Sequence, residues 1–163
     1  MKKIIFLIPF FLYASIYENF LLKKYSVVCS PKNINTNDEK LLSIVGISCV
    51  KSDKLYLLPL IINKLKKTKT GRTNSVYFAT ILLQKKLLYA FLFDKYPIDS
   101  FSFPKGDYIL SVVFDNLKSG NYKKIDDKYI INLKNEIIYF YKKDDKMIID
   151  EYKNGKLKSR WFR

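Results

Sequence analysis

The pattern changes once along this chain, at Ser119-Gly120-Asn121, and that change limits the fold more than any other feature. After it come four short runs rich in Ile and Tyr: Y-I-I-N-L, E-I-I-Y-F-Y, K-M-I-I-D-E-Y and K-L-K-S-R-W-F. Between them lie K-N, K-K-D-D-K and K-N-G. Short β-branched and aromatic runs broken by turn residues read as strands, and Asn154-Gly155 is a strong two-residue hairpin signal. Residues 122–163 are therefore expected to form an antiparallel β-meander. Alternation places Ile149, Glu151 and Lys153 on one face and Ile148, Asp150 and Tyr152 on the other. A meander of this size is marginal alone, so one face is expected to pack on helices.

Upstream, the apolar spacing is helical. Thr36-Asn37-Asp38-Glu39 reads as a capping box, and Leu41, Leu42, Val45 and Cys49 continue at helical intervals. The spacing predicts a helix over 37–51. Ser15 to Glu18 reads as a second box, opening a helix over 16–28. Asp53 is expected to cap a helix over 54–67, with Pro59 inside it. Residues 75–93 are apolar on most of their circumference, which suits the centre of a bundle. Gln84, Lys85 and Lys86 in the middle of that run argue against a membrane span. A last helix is expected over 105–117. The fold class is thus α+β: an N-terminal bundle of about four helices over 15–118, then the meander, in one domain over 15–163.

The chain opens M-K-K-I-I-F-L-I-P-F-F-L-Y-A-S. Two lysines, a short apolar run and a small residue at Ala14 have the layout of a secretory signal peptide over 1–14. The apolar run is about half of the ~20 residues that a spanning helix needs. The protein is expected to be periplasmic or secreted, and not an integral membrane protein.

Only two cysteines occur, Cys29 and Cys49. In an oxidising compartment such a pair is expected to form a disulfide. It would close a loop of about 20 residues and stabilise the fold by roughly 3 kcal/mol in the chain-entropy account.

Histidine is absent. That removes the usual neutral-pH base, the Ser-His and Cys-His dyads, and most zinc and copper sites. Ser48-Cys49-Val50-Lys51, Lys69-Thr70-Gly71 and Ser119-Gly120-Asn121 resemble the triplets of penicillin-binding proteins and serine β-lactamases. Their order differs, because the S-x-N triplet belongs between the other two. The paired carboxylates Asp126-Asp127, Asp144-Asp145 and Asp150-Glu151 sit side by side. On strands, such neighbours face opposite ways. Asp144-Asp145 reads as a hairpin tip and the other two pairs as solvated strand ends. No catalytic residues, metal or cofactor are expected.

The formal net charge is +15, carried almost wholly by Lys, with Arg only at Arg72, Arg160 and Arg163. Such a charge favours anionic partners. Phosphate and base recognition usually draws on the planar fork of Arg, so nucleic acid is the weaker expectation. Arg72, Thr73, Asn74 and Ser75, at the expected start of the long helix, are the candidate anion-binding group. Phe78, Tyr89, Phe91 and Phe93 are assigned to the core.

Glu151 to Ser159, E-Y-K-N-G-K-L-K-S, resembles the hairpin unit of MORN-like repeats found in some bacterial secreted proteins. One copy is present and covers a small part of the chain. The functional expectation is a non-catalytic exported protein with a structural or protein-interaction role at the cell envelope. Its partner would be an envelope protein or an anionic surface polymer. The alternatives are lysine-mediated binding of anionic polymers or lipid surfaces, and a small cell-wall hydrolase.

Overall fold

The computed structural model describes the backbone of residues 8–163 and the side chains of residues 15–163. The expected signal peptide falls partly on residues 1–7, which lie outside the described residues. Among the described residues the architecture is α+β, with seven helices followed by a five-stranded antiparallel sheet. The chain divides into two compact units, one running to Ala79 and the other from Thr80.

The first unit is built around α4 (Glu39–Lys51). Its buried positions Leu41, Leu42, Val45, Cys49 and Val50 follow the helical spacing. The cap is Asp38, whose carboxylate accepts from the Lys40 and Leu41 N–H groups at 2.8 and 3.1 Å. Thr36 only accepts from the Asp38 N–H, so the expected capping box is replaced by an Asp cap. At the other end Asp53 adopts φ 59°. The Lys54 N–H reaches the Cys49 carbonyl and the Asp53 N–H reaches Val50. This is a Schellman closure. Asp53 thus ends α4 rather than opening the next helix, which is the reverse of the sequence expectation.

The expected helix over 16–28 is two pieces, α1 (Ile8–Leu21) and α2 (Tyr25–Val28), separated by a turn with Lys23 at φ 56°. Ser15 lies inside α1 and not at its start, because the helix already runs from Ile8. Pro31 opens a further short turn, α3 (Pro31–Ile34). The expected helix over 54–67 shrinks to a 3-10 turn (Leu55–Leu57) and α5 (Leu58–Ile62), with Pro59 in its first turn. A proline fits there because its missing N–H has no helical partner to lose.

Two ties hold these short pieces to α4. Cys29 and Cys49 form a disulfide with a Cα–Cα distance of 4.8 Å, joining the end of α2 to α4. Lys54 then places its ammonium on the Ser26 and Cys29 carbonyls at 2.9 and 3.2 Å. A cation at a helix C-terminus answers unpaired carbonyls and the negative end of the dipole. Gly46 lets α4 approach Phe78 closely, since a Cβ there would run into the Phe78 ring.

The long helix α6 (Lys69–Asp94) starts six residues earlier than expected. It is also less buried than expected: Phe78, Ile81, Gln84 and Leu88 form an inner face, while Val76 and Leu83 are exposed. Of the aromatics assigned to the core, Phe78 is fully buried and Tyr89, Phe91 and Phe93 are half-buried. Helix α6 is long and apolar enough to cross a membrane by length and composition. In its middle, Gln84 is fully buried and its Oε1 accepts from the Ser111 hydroxyl at 2.7 Å. Burial, followed by the neighbouring Lys86 charge, holds the Lys85 ammonium below its usual pKa.

In the second unit, α7 (Ile109–Lys118) is four residues shorter at its start than expected and ends at Gly120, φ 70°. The meander follows: β1 (Lys123–Ile125), β2 (Lys128–Leu133), β3 (Glu136–Lys143), β4 (Lys146–Lys153) and β5 (Lys156–Phe162). The strands pair in sequence order. Ile131, Ile138, Phe140, Met147, Ile149 and Phe162 are buried on the inner face. Tyr129 on that face meets Phe91 of α6, with ring centroids 5.3 Å apart, and the Tyr89 hydroxyl donates to the Asp145 carbonyl at 3.1 Å. The sheet therefore packs on the C-terminal part of α6, as the small size of the meander requires.

Candidate functional site

The segment just ahead of α6 holds a carboxylate of the protein's own. Glu39 Oε1 accepts from the Lys66 and Lys67 N–H groups at 2.5 and 2.6 Å. Its Oε2 accepts from the Thr68 N–H and hydroxyl at 2.7 and 2.5 Å. The Thr68 hydroxyl oxygen accepts in turn from the Gly71 N–H at 2.9 Å. Gly71 is glycine for a steric reason: a Cβ there would collide with Glu39 Oε2 and Thr68 Oγ1. The Thr68 hydroxyl and then the Lys67 N–H hold the buried carboxylate down to about pKa 2, against the opposing effect of its own burial. These donors precede α6, whose first-turn Gly71 N–H is met by the Thr68 hydroxyl oxygen instead.

Arg72, Thr73, Asn74 and Ser75 lie in the first two turns of this helix and not ahead of it. The Arg72 guanidinium donates to the Lys66 and Lys67 carbonyls at 3.3 and 2.8 Å. Thr73 returns its hydroxyl to the Lys69 carbonyl. Ser75 reaches the Ile62 carbonyl at 3.5 Å. Asn74 is half-buried between them. The sequence held one signal for the real arrangement: a Glu just inside a helix already capped by Asp38 is free to reach elsewhere.

Ser48, first residue of the S-x-x-K triplet, is fully buried in α4 and donates its hydroxyl to the Ile44 carbonyl at 2.8 Å. Lys69-Thr70-Gly71 lies on a helix where the β-lactamase-like arrangement needs a strand. Asp126-Asp127 and Asp144-Asp145 occupy hairpin turns, with Asp126 at φ 50° and Asp144 at φ 53°. Asp150 and Glu151, expected at a solvated strand end, stand in the middle of β4. Asp150 accepts from the Tyr141 hydroxyl at 2.9 Å on the outer face. Glu151 pairs with Arg160 at 2.8 Å on the inner one. Among the described residues, no group of three or more His, Cys, Asp or Glu side chains is placed to hold a metal ion.

The outer face of the sheet is the more extensive feature, and it was not singled out from the sequence. The register sets Ile125, Lys128, Tyr141, Ile148 and Trp161 in one row across the five strands. The next row holds Lys123, Ile130, Tyr139, Asp150 and Ser159, and a third holds Asn132, Ile137, Tyr152 and Leu157. Trp161, Leu157, Tyr152 and Ile137 are 61, 54, 43 and 40% exposed. Lys128 lies over the Tyr141 ring at 4.9 Å and Lys146 over Trp161 at 4.8 Å. Tyr139 and Tyr152 meet edge to face at 5.6 Å. Burial raises the Tyr141 pKa, and the Asp150 carboxylate raises it further. An outer sheet face is normally polar when it meets only water. This one carries four aromatic rings.

The chain matches no protein-family model, no curated protein and no solved structure.

Proposed function

We propose that this protein is a non-catalytic, exported component of the cell envelope that acts by docking. The observation that carries the reading is the outer sheet face, where Tyr139, Tyr141, Tyr152 and Trp161 stand together among lysines. Aromatic side chains offer a large contact area with few torsions to freeze, which is why they dominate interface energetics. The Cys29–Cys49 disulfide supports export, because such bonds persist in oxidising compartments. Burial of Ser48 weighs against a small cell-wall hydrolase that would use this serine.

The test is expression of the full-length chain in an export-competent bacterium, followed by intact mass of the recovered protein. The expected product is periplasmic, begins near Ser15 and gains two protons on reduction. A cytoplasmic product that retains Met1 and the leader would overturn the reading.

A further inference from the structure

We propose that the outer face of the sheet binds an anionic glycan, a linear polysaccharide bearing carboxylate or phosphate groups. The inference rests on the docking reading above and names the ligand class.

Four observations carry it. The first is the ring inventory of the face: Tyr139, Tyr141, Tyr152 and Trp161 all point outward by register. A pyranose ring has an apolar face of C–H groups, and these pack on the negative face of an aromatic ring. The second is spacing. Tyr141 and Trp161 flank Ile148 in one row, two strands apart. Two strand spacings are about 9.6 Å, near the length of two sugar rings in a chain.

The third observation is charge. Lys123, Lys128, Lys143 and Lys146 share this face by register, against one carboxylate, Asp150. Asp150 is already engaged by the Tyr141 hydroxyl. The fourth is where the cations sit. Lys128 and Lys146 each cover one face of the Tyr141 and Trp161 rings, so two of the four rings carry an ammonium against them, while Tyr139 and Tyr152 meet each other. A ligand that alternates apolar ring faces with anionic groups matches that pattern.

The same charges argue against a second copy as the occupant. Two such faces opposed would bring lysines onto lysines, a costly juxtaposition. A single-stranded nucleic acid also offers rings and negative charge. Within the strands, however, the face carries no arginine, since Arg160 points inward to Glu151. An exported protein also meets glycans before it meets nucleic acid.

Trp161 is the only tryptophan in the chain, so its emission reports on this face alone. The experiment titrates purified full chain with short polygalacturonate oligomers, with neutral dextran and with oligothymidylate, following Trp161 fluorescence. The expected result is a saturable change with polygalacturonate, weakened by salt and absent with dextran. Lys128→Gln with Lys146→Gln should weaken it about tenfold, while Lys32→Gln with Lys40→Gln, on the other unit, should not.

No saturable change with polygalacturonate would overturn the proposal. So would tighter binding of oligothymidylate, or equal weakening by the two lysine pairs, which would mark diffuse charge attraction. Export and binding fail separately: the mass of the N-terminus reports the first, and Trp161 reports the second.

Discussion

At the scale of single residues, Glu39 does more than its position suggests. Its carboxylate is held by three backbone N–H groups and one hydroxyl from Lys66 to Thr68. Because folding lowers its pKa from 4.5 to about 2, it stabilises the fold fully above the unfolded value. That contribution fades as pH falls from 4.5 towards 2. Glu39→Gln should be less stable than the parent at neutral pH, and the gap should narrow on acidification. Urea midpoints of both proteins, at neutral pH and at about pH 3, check this. Gly71→Ala should resemble Glu39→Gln, since the added methyl displaces the carboxylate. Gly46→Ala acts differently, by pressing on the fully buried Phe78 ring, and overpacking of that kind costs about 1–3 kcal/mol. Its urea midpoint should fall by the corresponding amount at every pH.

At the scale of elements, the first unit consists mostly of short pieces tied to one good helix. Helices of four or five residues, such as α2, α3 and α5, do not stand alone in water. The disulfide joins the end of α2 to α4 across a separation of 20 residues. Replacing both cysteines by Ala should lower unfolding free energy by about 3 kcal/mol, measured by urea denaturation.

The sheet was legible in the sequence because the information it needs is local. Turn residues at Lys134-Asn135, Asp144-Asp145 and Asn154-Gly155 stand between alternating runs, and strands form on either side of each. Strand β1 escaped notice because Lys123, Lys124 and Ile125 are all exposed and show no alternation. The start of α6 escaped for a different reason. K-K-T-K-T-G is polar and reads as a loop. Its second half is helical behind Thr68, whose hydroxyl oxygen meets the Gly71 N–H, and Thr68 is itself held by a carboxylate from α4, 29 residues earlier. The sequence points to anion binding at residues 72–75, whereas the Glu39 carboxylate is held at residues 66–68 by a contact too distant in the chain to read. The aromatic outer face was legible only in part, since it depends on register across four hairpin turns.

At the scale of the whole molecule, the lysine surplus of a +15 chain divides by task. Lys54 and Lys64 close helix ends by donating to carbonyls. Lys128 and Lys146 sit on rings of the outer face. The edge strand β5 carries Lys156, Lys158 and Arg160, and charge on an edge discourages pairing with another sheet. The protein is therefore expected to stay monomeric as its concentration rises, by light scattering at moderate salt. A sheet-to-sheet dimer would oppose that assignment.

The last three hairpin turns begin at Lys134, Asp144 and Asn154, so strand plus turn repeats at a fixed interval of 10 residues. The register makes this a matter of odd and even. Inward residues are even-numbered on β3 (Ile138, Phe140) and odd-numbered on β4 (Met147, Ile149), and Phe162 is even again on β5. A whole strand-turn-strand-turn block inserted or removed would leave both faces as they are. One residue added within β4 would turn part of the strand inside out, sending Met147 or Ile149 to solvent and Tyr152 or Asp150 to the core. For this domain, change by duplication is open and change by single insertion is confined to the turns.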